Sequence, residues 1–346
     1  MWCRRLYSTF KEGDTVLIRP LKNVAQAHLS RPLAKDSVVQ TQHGDVHHND
    51  IIGQPKRVFL GYRGKKIHKN QKDLRYIAVE PTLDEYTSMI KRKAQPIYSM
   101  DANVIVLLAD IDVDVPEEGE EPKCFLEAGT GNGSLTISIC GAIHGSNALA
   151  RHYNDDSRRG AILYSIDRRE DHLKMGAWNV CNYKRGRYIE DVEFGVYSLP
   201  LEWLKAHSTV ELSGVFLDLP DPHIYFADIA KQMCLDATLI VFCPSVTQIL
   251  RCREELADSR LRNDPIDLLL VKTVELPPGN GGGTREWDVN TAFTRETGEK
   301  VSVCRPKVGA RVVGGGFVGI FKRLSVIGDS LQATVDAAKT KEIGIM

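Results

Sequence analysis

In the first part of the chain the apolar residues fall in short alternating runs, Thr15 to Arg19, Ser37 to Thr41, Lys56 to Leu60 and Leu74 to Val79. Gly13, Gly44, Gly53, Gly61 and Gly64 punctuate them. Short strands at close spacing with glycine turns predict a compact β-barrel-like module over residues 1–80. Pro81 to Lys93 then places Leu83, Tyr86, Met89 and Ile90 at helical spacing, and Gln95 to Tyr98 leads into a second helical run, Ala102 to Ala109. Asp110 to Glu121 holds seven acids and no base, with Pro116 and Gly119 inside it, so residues 81–123 read as a helical connector ending in an acidic surface linker.

From residue 124 the pattern changes. Strand-sized apolar runs (Cys124 to Glu127, Ala161 to Asp167, Gly214 to Leu219, Leu239 to Cys243) alternate with helical stretches (Leu135 to Ile143, His172 to Cys181, Tyr225 to Leu235). This βαβ rhythm predicts an α/β, Rossmann-like domain with a mostly parallel, doubly wound sheet over residues 124–324, closed by a strand at Phe317 to Leu324. Ser146 to Gly160 is polar and reads as an inserted loop, and Pro277 to Trp287 reads as a long mobile loop. Residues 325–346 form a tail of helix-like composition.

Composition narrows the class. The 346 residues, 42% of them apolar, suffice for one large or two ordinary domains, and no apolar run approaches the length of a membrane span. Eight cysteines lie scattered without a CxxC pair or zinc spacing, which predicts no metal site and buried free thiols in a reducing compartment. The opening MWCRRLYSTF carries two arginines and no acid, as a mitochondrial presequence does, but Glu12 and Asp14 follow at once. Mitochondrial and nuclear or cytoplasmic locations both fit.

The 45 basic and 45 acidic residues cancel overall, yet residues 1–100 hold 18 Lys or Arg against 9 Asp or Glu. Lys56 to Arg75 is the densest part, with Phe59, Tyr62 and Tyr76 near its lysines. Lys65, Lys66 and Lys69 are candidate RNA contacts, since lysines interleaved with aromatics suit a polyanion with stackable bases. The same residues also suit a solvated sheet edge protected by charge.

The segment Phe125-Leu-Glu-Ala-Gly-Thr-Gly-Asn-Gly-Ser-Leu135 carries the most chemistry: a strand ends in a glycine-rich turn that opens a helix. Gly129, Gly131 and Gly133 would let backbone approach a ligand at the carboxyl end of the first strand. Glu127, directly ahead of them, would repel a pyrophosphate but suits the sulfonium and ammonium groups of S-adenosylmethionine. Asp167 ends the next strand, where a carboxylate can accept both ribose hydroxyls or cap the helix that follows. Thr130, Asn132, Ser134, Leu135 and Arg168 complete the candidate cofactor contacts.

These motifs, with Glu12-Gly-Asp14, Gly44-x-x-His47, Ile51-Ile-Gly53, Arg92-x-x-Gln95-x-x-Tyr98-x-x-Asp101, Asp218-Leu-Pro220 and Pro244-x-x-x-Gln248, make the chain resemble the catalytic type of tRNA adenine-58 N1-methyltransferase. The resemblance implies a class I methyltransferase fold using S-adenosyl-L-methionine, an N-terminal module that helps hold tRNA, and a homotetramer or a heterotetramer with a related non-catalytic subunit. It places the cofactor acids on Glu127 and Asp167, puts Gln95 and Tyr98 in the segment lining the cofactor and base pocket, and makes Asp218 the catalytic carboxylate. Tyr98 would stack on the flipped base or on the cofactor's adenine, with His223 and Tyr225 as further candidates for the pocket wall. A non-catalytic RNA-binding or assembly subunit is the rival expectation, and a methyltransferase for a protein or small molecule is a third.

Overall fold

A computed structural model describes residues 8–21, 26–41, 44–61, 76–279, 284–285, 287–306 and 314–324. Lys65, Lys66, Lys69, the first seven residues and the tail from 325 onward lie outside the described residues. The chain groups into two compact units, one of residues up to Arg92 together with Ala177–Glu190, the other of Lys93–Gly176 and the residues from Asp191 onward.

The smaller unit holds β1 (Leu17–Pro20), β2 (His28–Leu29), β3 (Val38–Thr41), β4 (Gly44–His47), β5 (Arg57–Leu60), β6 (Tyr76–Val79) and α1 (Leu83–Met89). Four of the strands form one antiparallel sheet in the order β2-β1-β6-β5, and β3 pairs with β4 as a separate two-stranded sheet. Among the described residues these strands form an open sheet beside a separate hairpin. Phe10, Val16, Ile18, Leu33, Val46, Ile51, Leu60 and Tyr76 fill its core. Thr82 starts α1 with a reciprocal capping box, its hydroxyl accepting from the Glu85 amide while the Glu85 carboxylate accepts from the Thr82 amide.

The larger unit begins with α2 (Ser99–Ala109) and continues through β7 (Lys123–Ala128), α3 (Ser134–Ile143), α4 (Ala148–Tyr153), β8 (Ala161–Asp167), the part of α5 (Glu170–Asn182) up to Gly176, β9 (Val192–Val196), α6 (Pro200–Ala206), β10 (Leu212–Leu217), α7 (Phe226–Gln232) and β11 (Met233–Cys243). It ends with α8 (Val246–Leu261), β12 (Leu268–Leu276), β13 (Trp287–Phe293), β14 (Lys300–Pro306) and β15 (Gly316–Arg323). Seven strands form one sheet in the order β12-β15-β11-β10-β7-β8-β9; β9 through β11 run parallel, and β15 and β12 run antiparallel to their neighbours. This is the expected Rossmann-like doubly wound sheet, with the order reversing between β7 and β10, so the carboxyl ends of those strands face the crevice where such folds bind ligands. Trp203, Phe226, Phe321 and Leu239 pack in its core.

Three sequence expectations are corrected. Tyr225 to Leu235 is not helical throughout: α7 stops at Gln232 and Met233 joins β11 opposite Leu212, while Asp236 adopts φ +60°, which no helix accommodates. Ser146 to Gly160 is not an open loop but carries α4 and a short 3₁₀ turn. The Asn147 carboxamide oxygen accepts from the Gly160 and Ala161 amides, and the buried Asp191 carboxylate binds Asn147 (2.7 Å), Arg151 (2.9 Å) and His144 (2.5 Å). A satisfied buried network of this kind makes a polar segment an ordered one. Finally, Cys181 and Cys304 are exposed rather than buried, unlike Cys140, Cys243 and Cys252.

Candidate functional site

The glycine turn between β7 and α3 is built by packing as much as by any ligand. A Cβ on Gly129, at φ +109°, would lie 2.5 Å from the Asp218 carbonyl oxygen, and one on Gly133, at φ +79°, would lie 2.9 Å from the Gly176 carbonyl oxygen. Two of the three glycines therefore serve close backbone approach to β10 and α5. Gly131 is the one whose Cβ would meet nothing closer than ordinary contact, with Ala94 at 3.8 Å and the Gly129 carbonyl oxygen at 3.9 Å. With Gly129 it lines a cavity of about 250 Å³ at the strand ends.

Asp167 lines the same cavity and fixes its turn, one carboxylate oxygen accepting from the Gly131 amide (3.0 Å) and the other from the Arg169 amide (2.9 Å). It thus acts as a helix cap while keeping unused lone pairs toward the cavity. Gln95 and exposed Arg168 also line it, as do Tyr225, Tyr197, Leu199, Pro200, Arg169 and His172. The last five are not among the sequence candidates, because they sit on or beside β9 and α5 in positions without any local motif.

Glu127 lies elsewhere. Its carboxylate is buried under the turn and accepts from the hydroxyls of Thr136 (2.6 Å) and Ser165 (2.5 Å), while its other oxygen has no partner. Burial pushes its pKa up to about 8 against the lowering effect of the two hydroxyls. The expectation that it faces a cationic ligand directly is corrected: Glu127 stands behind the cavity wall, because the side chain at this register of β7 points under α3. Thr130, bonded to Ser165, and buried Ser134 and Leu135 likewise lie outside the wall. Asn132 is a strap. Its carboxamide accepts from the Lys93 and Ala94 amides and donates to the Ala94 carbonyl, which pins the segment leading to Gln95 against the turn.

The protonated form of buried Glu127 is the stable one in the folded protein up to about pH 8, whereas the unfolded chain releases that proton at an ordinary carboxyl pKa. In the window between, the folded state binds more protons, so stability falls as pH rises. Urea midpoints measured at about pH 5 and about pH 8 are expected to show a larger loss for wild type than for Glu127→Gln; equal losses would contradict the burial argument.

A second cavity, of about 640 Å³, adjoins the first, and Gln95 and Asp218 line both. Its wall includes Pro96, Ile97, Asp101, Phe242, Pro244, Glu275 and Phe317. Asp218 caps β10 with its amide on the Ala128 carbonyl (3.0 Å), and its carboxyl is pushed up to about 7, first by burial and then by the neighbouring charge of Asp167. Asp101, in the first turn of α2, is buried and accepts from the Gly315 amide (3.1 Å). Tyr98, expected at the base pocket, is buried at the start of α2 and lines neither cavity; Ile97 and Pro96 stand at the wall instead. His223 and Gln248 also line neither.

Together the geometry gives two adjoining chambers divided by a carboxylate and a carboxamide. The first offers apolar surface with Asp167 and Asp218 at two strand ends and with Arg168, Arg169 and His172 beside them, the mixed wall of a nucleoside site at the carboxyl edge of a parallel sheet. The second is lined by aromatic and acidic side chains, and none of its described lining residues is Lys, Arg or His.

Comparison with known proteins agrees with this layout. No protein-family model matches the chain. It is 30% identical over 209 residues, 60% of its length, to the tRNA (adenine(58)-N(1))-methyltransferase TrmI of Thermus thermophilus. It is 25% identical over 244 residues to a tRNA (adenine(58)-N(1))-methyltransferase catalytic subunit of Cryptococcus neoformans, and 23% identical over 267 residues to one of Dictyostelium discoideum. The matches span 66%, 50% and 74% of those proteins. Among solved structures, an O-methyltransferase from Thermotoga maritima matches at a TM-score of 0.63 (15% identity, 93% of this chain and 97% of that one). TrmI of Aquifex aeolicus matches at 0.55 (18% identity, 92% and 100%). The fold is that of the class I methyltransferases, and by its sequence the chain is similar to the tRNA (adenine-58-N1)-methyltransferases, spanning just under two thirds of the Thermus protein.

Proposed function

We propose that the chain transfers a methyl group from S-adenosyl-L-methionine to N1 of an adenosine in RNA, with position 58 of tRNA as the target. The observation that carries this reading is the pair of cavities sharing Asp218 and Gln95, since a methyl donor and its acceptor must meet across one boundary. Bound S-adenosylmethionine would supply an electrophilic methyl group on a sulfonium. Asp167 would hold its ribose, the Gly129–Gly131 backbone would lie beside it, and Leu199, Pro200 and Tyr225 would cover apolar surface.

Adenine N1 has its own lone pair near neutral pH, so the chain need not supply a strong base. What it supplies is position and sign. Asp218, ionised, accepts a hydrogen bond from the exocyclic N6 amine, which orients the ring and stabilises the positive charge that grows on it. Because N1 lies on the pairing edge, the base must be flipped out of its helix to enter the second cavity. Gln95, held by the Asn132 strap, faces both partners. Lysines 65, 66 and 69 belong in this reading to the RNA-backbone contacts.

The reading extends to assembly. The hairpin β13–β14 presents exposed Trp287, Val289 and Phe293 on alternate positions of one strand, and a two-stranded ribbon with an uncovered apolar face gains stability by pairing with another subunit. We assign it to contact within a homotetramer or a heterotetramer with a related subunit.

Calorimetry and methyl-transfer assays test the core claim. Purified protein is expected to bind S-adenosylmethionine with micromolar affinity and to produce 1-methyladenosine at one tRNA position, located by mass-spectrometric mapping. Absence of binding, or methylation at another base atom, would refute it.

A further inference from the structure

Asp101 has no part in the chemistry described so far, yet it is the most deeply buried carboxylate in the wall of the second cavity, at 1% exposure. One of its oxygens is held by the Gly315 amide at 3.1 Å. The other is buried and accepts no hydrogen bond. A buried polar atom without a partner is costly, and a wall that keeps one is a wall built for a ligand that supplies the missing donor. Its surroundings fix the sign of that donor. Asp218 and Glu275 line the same cavity, so the described wall carries carboxylates and no cationic side chain, which disfavours a phosphate and favours an N–H group. Phe242 and Phe317 add flat apolar surface of the kind that holds an aromatic ring.

The exocyclic amine of adenine carries two hydrogens. Asp218 accounts for one. Enclosed in a cavity, the other would be stranded unless a second acceptor stood in the wall. We propose that Asp101 is a substrate-recognition residue that accepts the second amine hydrogen of the flipped adenine, so that the pocket selects a base with an unsubstituted exocyclic amine. This rests on the reading of methyl transfer to adenosine given above. Gly315 positions the carboxylate, and burial, which raises its pKa, is opposed by that amide. The assignment also gives a use to the last position of the Arg92-to-Asp101 motif, whose Gln95 serves both cavities.

The test compares wild type with Asp101→Asn, which keeps the shape of the side chain and an acceptor for the Gly315 amide. Each is assayed for kcat/KM on tRNA carrying either adenosine or purine riboside, which lacks the amine, at the target position. Asp101→Asn is expected to lower kcat/KM on adenosine roughly 10- to 100-fold with S-adenosylmethionine affinity unchanged. The preference for adenosine over purine riboside should shrink by about tenfold, because one of two amine contacts is gone. A merely structural role would leave that preference where it is, and an unchanged preference overturns the proposal. A second measurement needs no variant: N6-methyladenosine at the target position, with one hydrogen replaced, should be a poorer substrate of wild type by about tenfold or more. Equal turnover of the two bases would also overturn it. If wild type transfers no methyl group to adenosine N1 at all, the functional reading fails first and takes the assignment with it; if transfer is normal and the preferences are unmoved, the Asp101 assignment alone fails.

Discussion

Asp218→Ala is expected to lower the rate of methyl transfer by about 100-fold or more, the scale of losing one electrostatic stabiliser aimed at developing charge, while leaving S-adenosylmethionine affinity near that of wild type. The asymmetry follows from the site. The donor cavity has Asp167, the glycine turn and its apolar wall besides Asp218, but at the boundary with the second cavity Asp218 is the one carboxylate that faces both sides. Single-turnover methylation of tRNA beside calorimetric titration of the cofactor separates the two effects. A variant as fast as wild type would remove Asp218 from the mechanism. The same carboxylate is expected to set the pH dependence of the wild-type rate. Burial pushes its pKa up to about 7, and only its ionised form sets a full negative charge against the positive charge growing on the ring. The rate is therefore expected to climb by up to tenfold per pH unit below about 7 and to level off above it, with the acid limb altered in Asp218→Asn.

Gly129→Ala is expected to destabilise the protein by about 3 kcal/mol, near the top of the usual range for single substitutions. Two costs add. The residue sits at φ +109°, where side chains strain the backbone, and its Cβ would stand 2.5 Å from the Asp218 carbonyl oxygen. Relief requires β7 and β10 to part at their ends, which also displaces Asp218. Gly131→Ala provides the contrast, with φ +53° and no neighbour nearer than Ala94 at 3.8 Å, so its cost should be near 1 kcal/mol. Urea denaturation of both variants checks the order. If Gly131→Ala proves the more damaging, Gly129 does not hold the two strand ends together.

How much of this was legible beforehand varies by residue. The run from Phe125 to Leu135 announces a strand, a glycine turn and a helix, and β7 and α3 lie there within a residue or two. Asp167 and Asp218 could be placed at strand ends from the apolar runs before them, and both line the first cavity. Glu127 shows the limit of such reading. Sequence places it before the glycines but does not say which way its side chain points, and the hydroxyls of Thr136 and Ser165 claim it from elements nine and thirty-eight residues away. Asn132 shows the same limit: whether a side chain near a site faces the ligand or braces the loop depends on partners that local sequence does not name, here the Lys93 and Ala94 backbone.

By itself, then, the sequence determined the local pieces: alternating short strands followed by a βαβ rhythm, and a flexible turn set between acids. These follow from periodicity and glycine content, which act over a few neighbouring residues. Only the tertiary structure decided the second chamber. Ile97 and Asp101 at the start of α2, Glu275 at the end of β12 and the Gly314–Phe317 approach to β15 converge there because β15 inserts antiparallel between β11 and β12, bringing together segments more than two hundred residues apart. Strand order is fixed by which apolar faces pack best across the whole domain, and that free energy belongs to no single stretch of the chain.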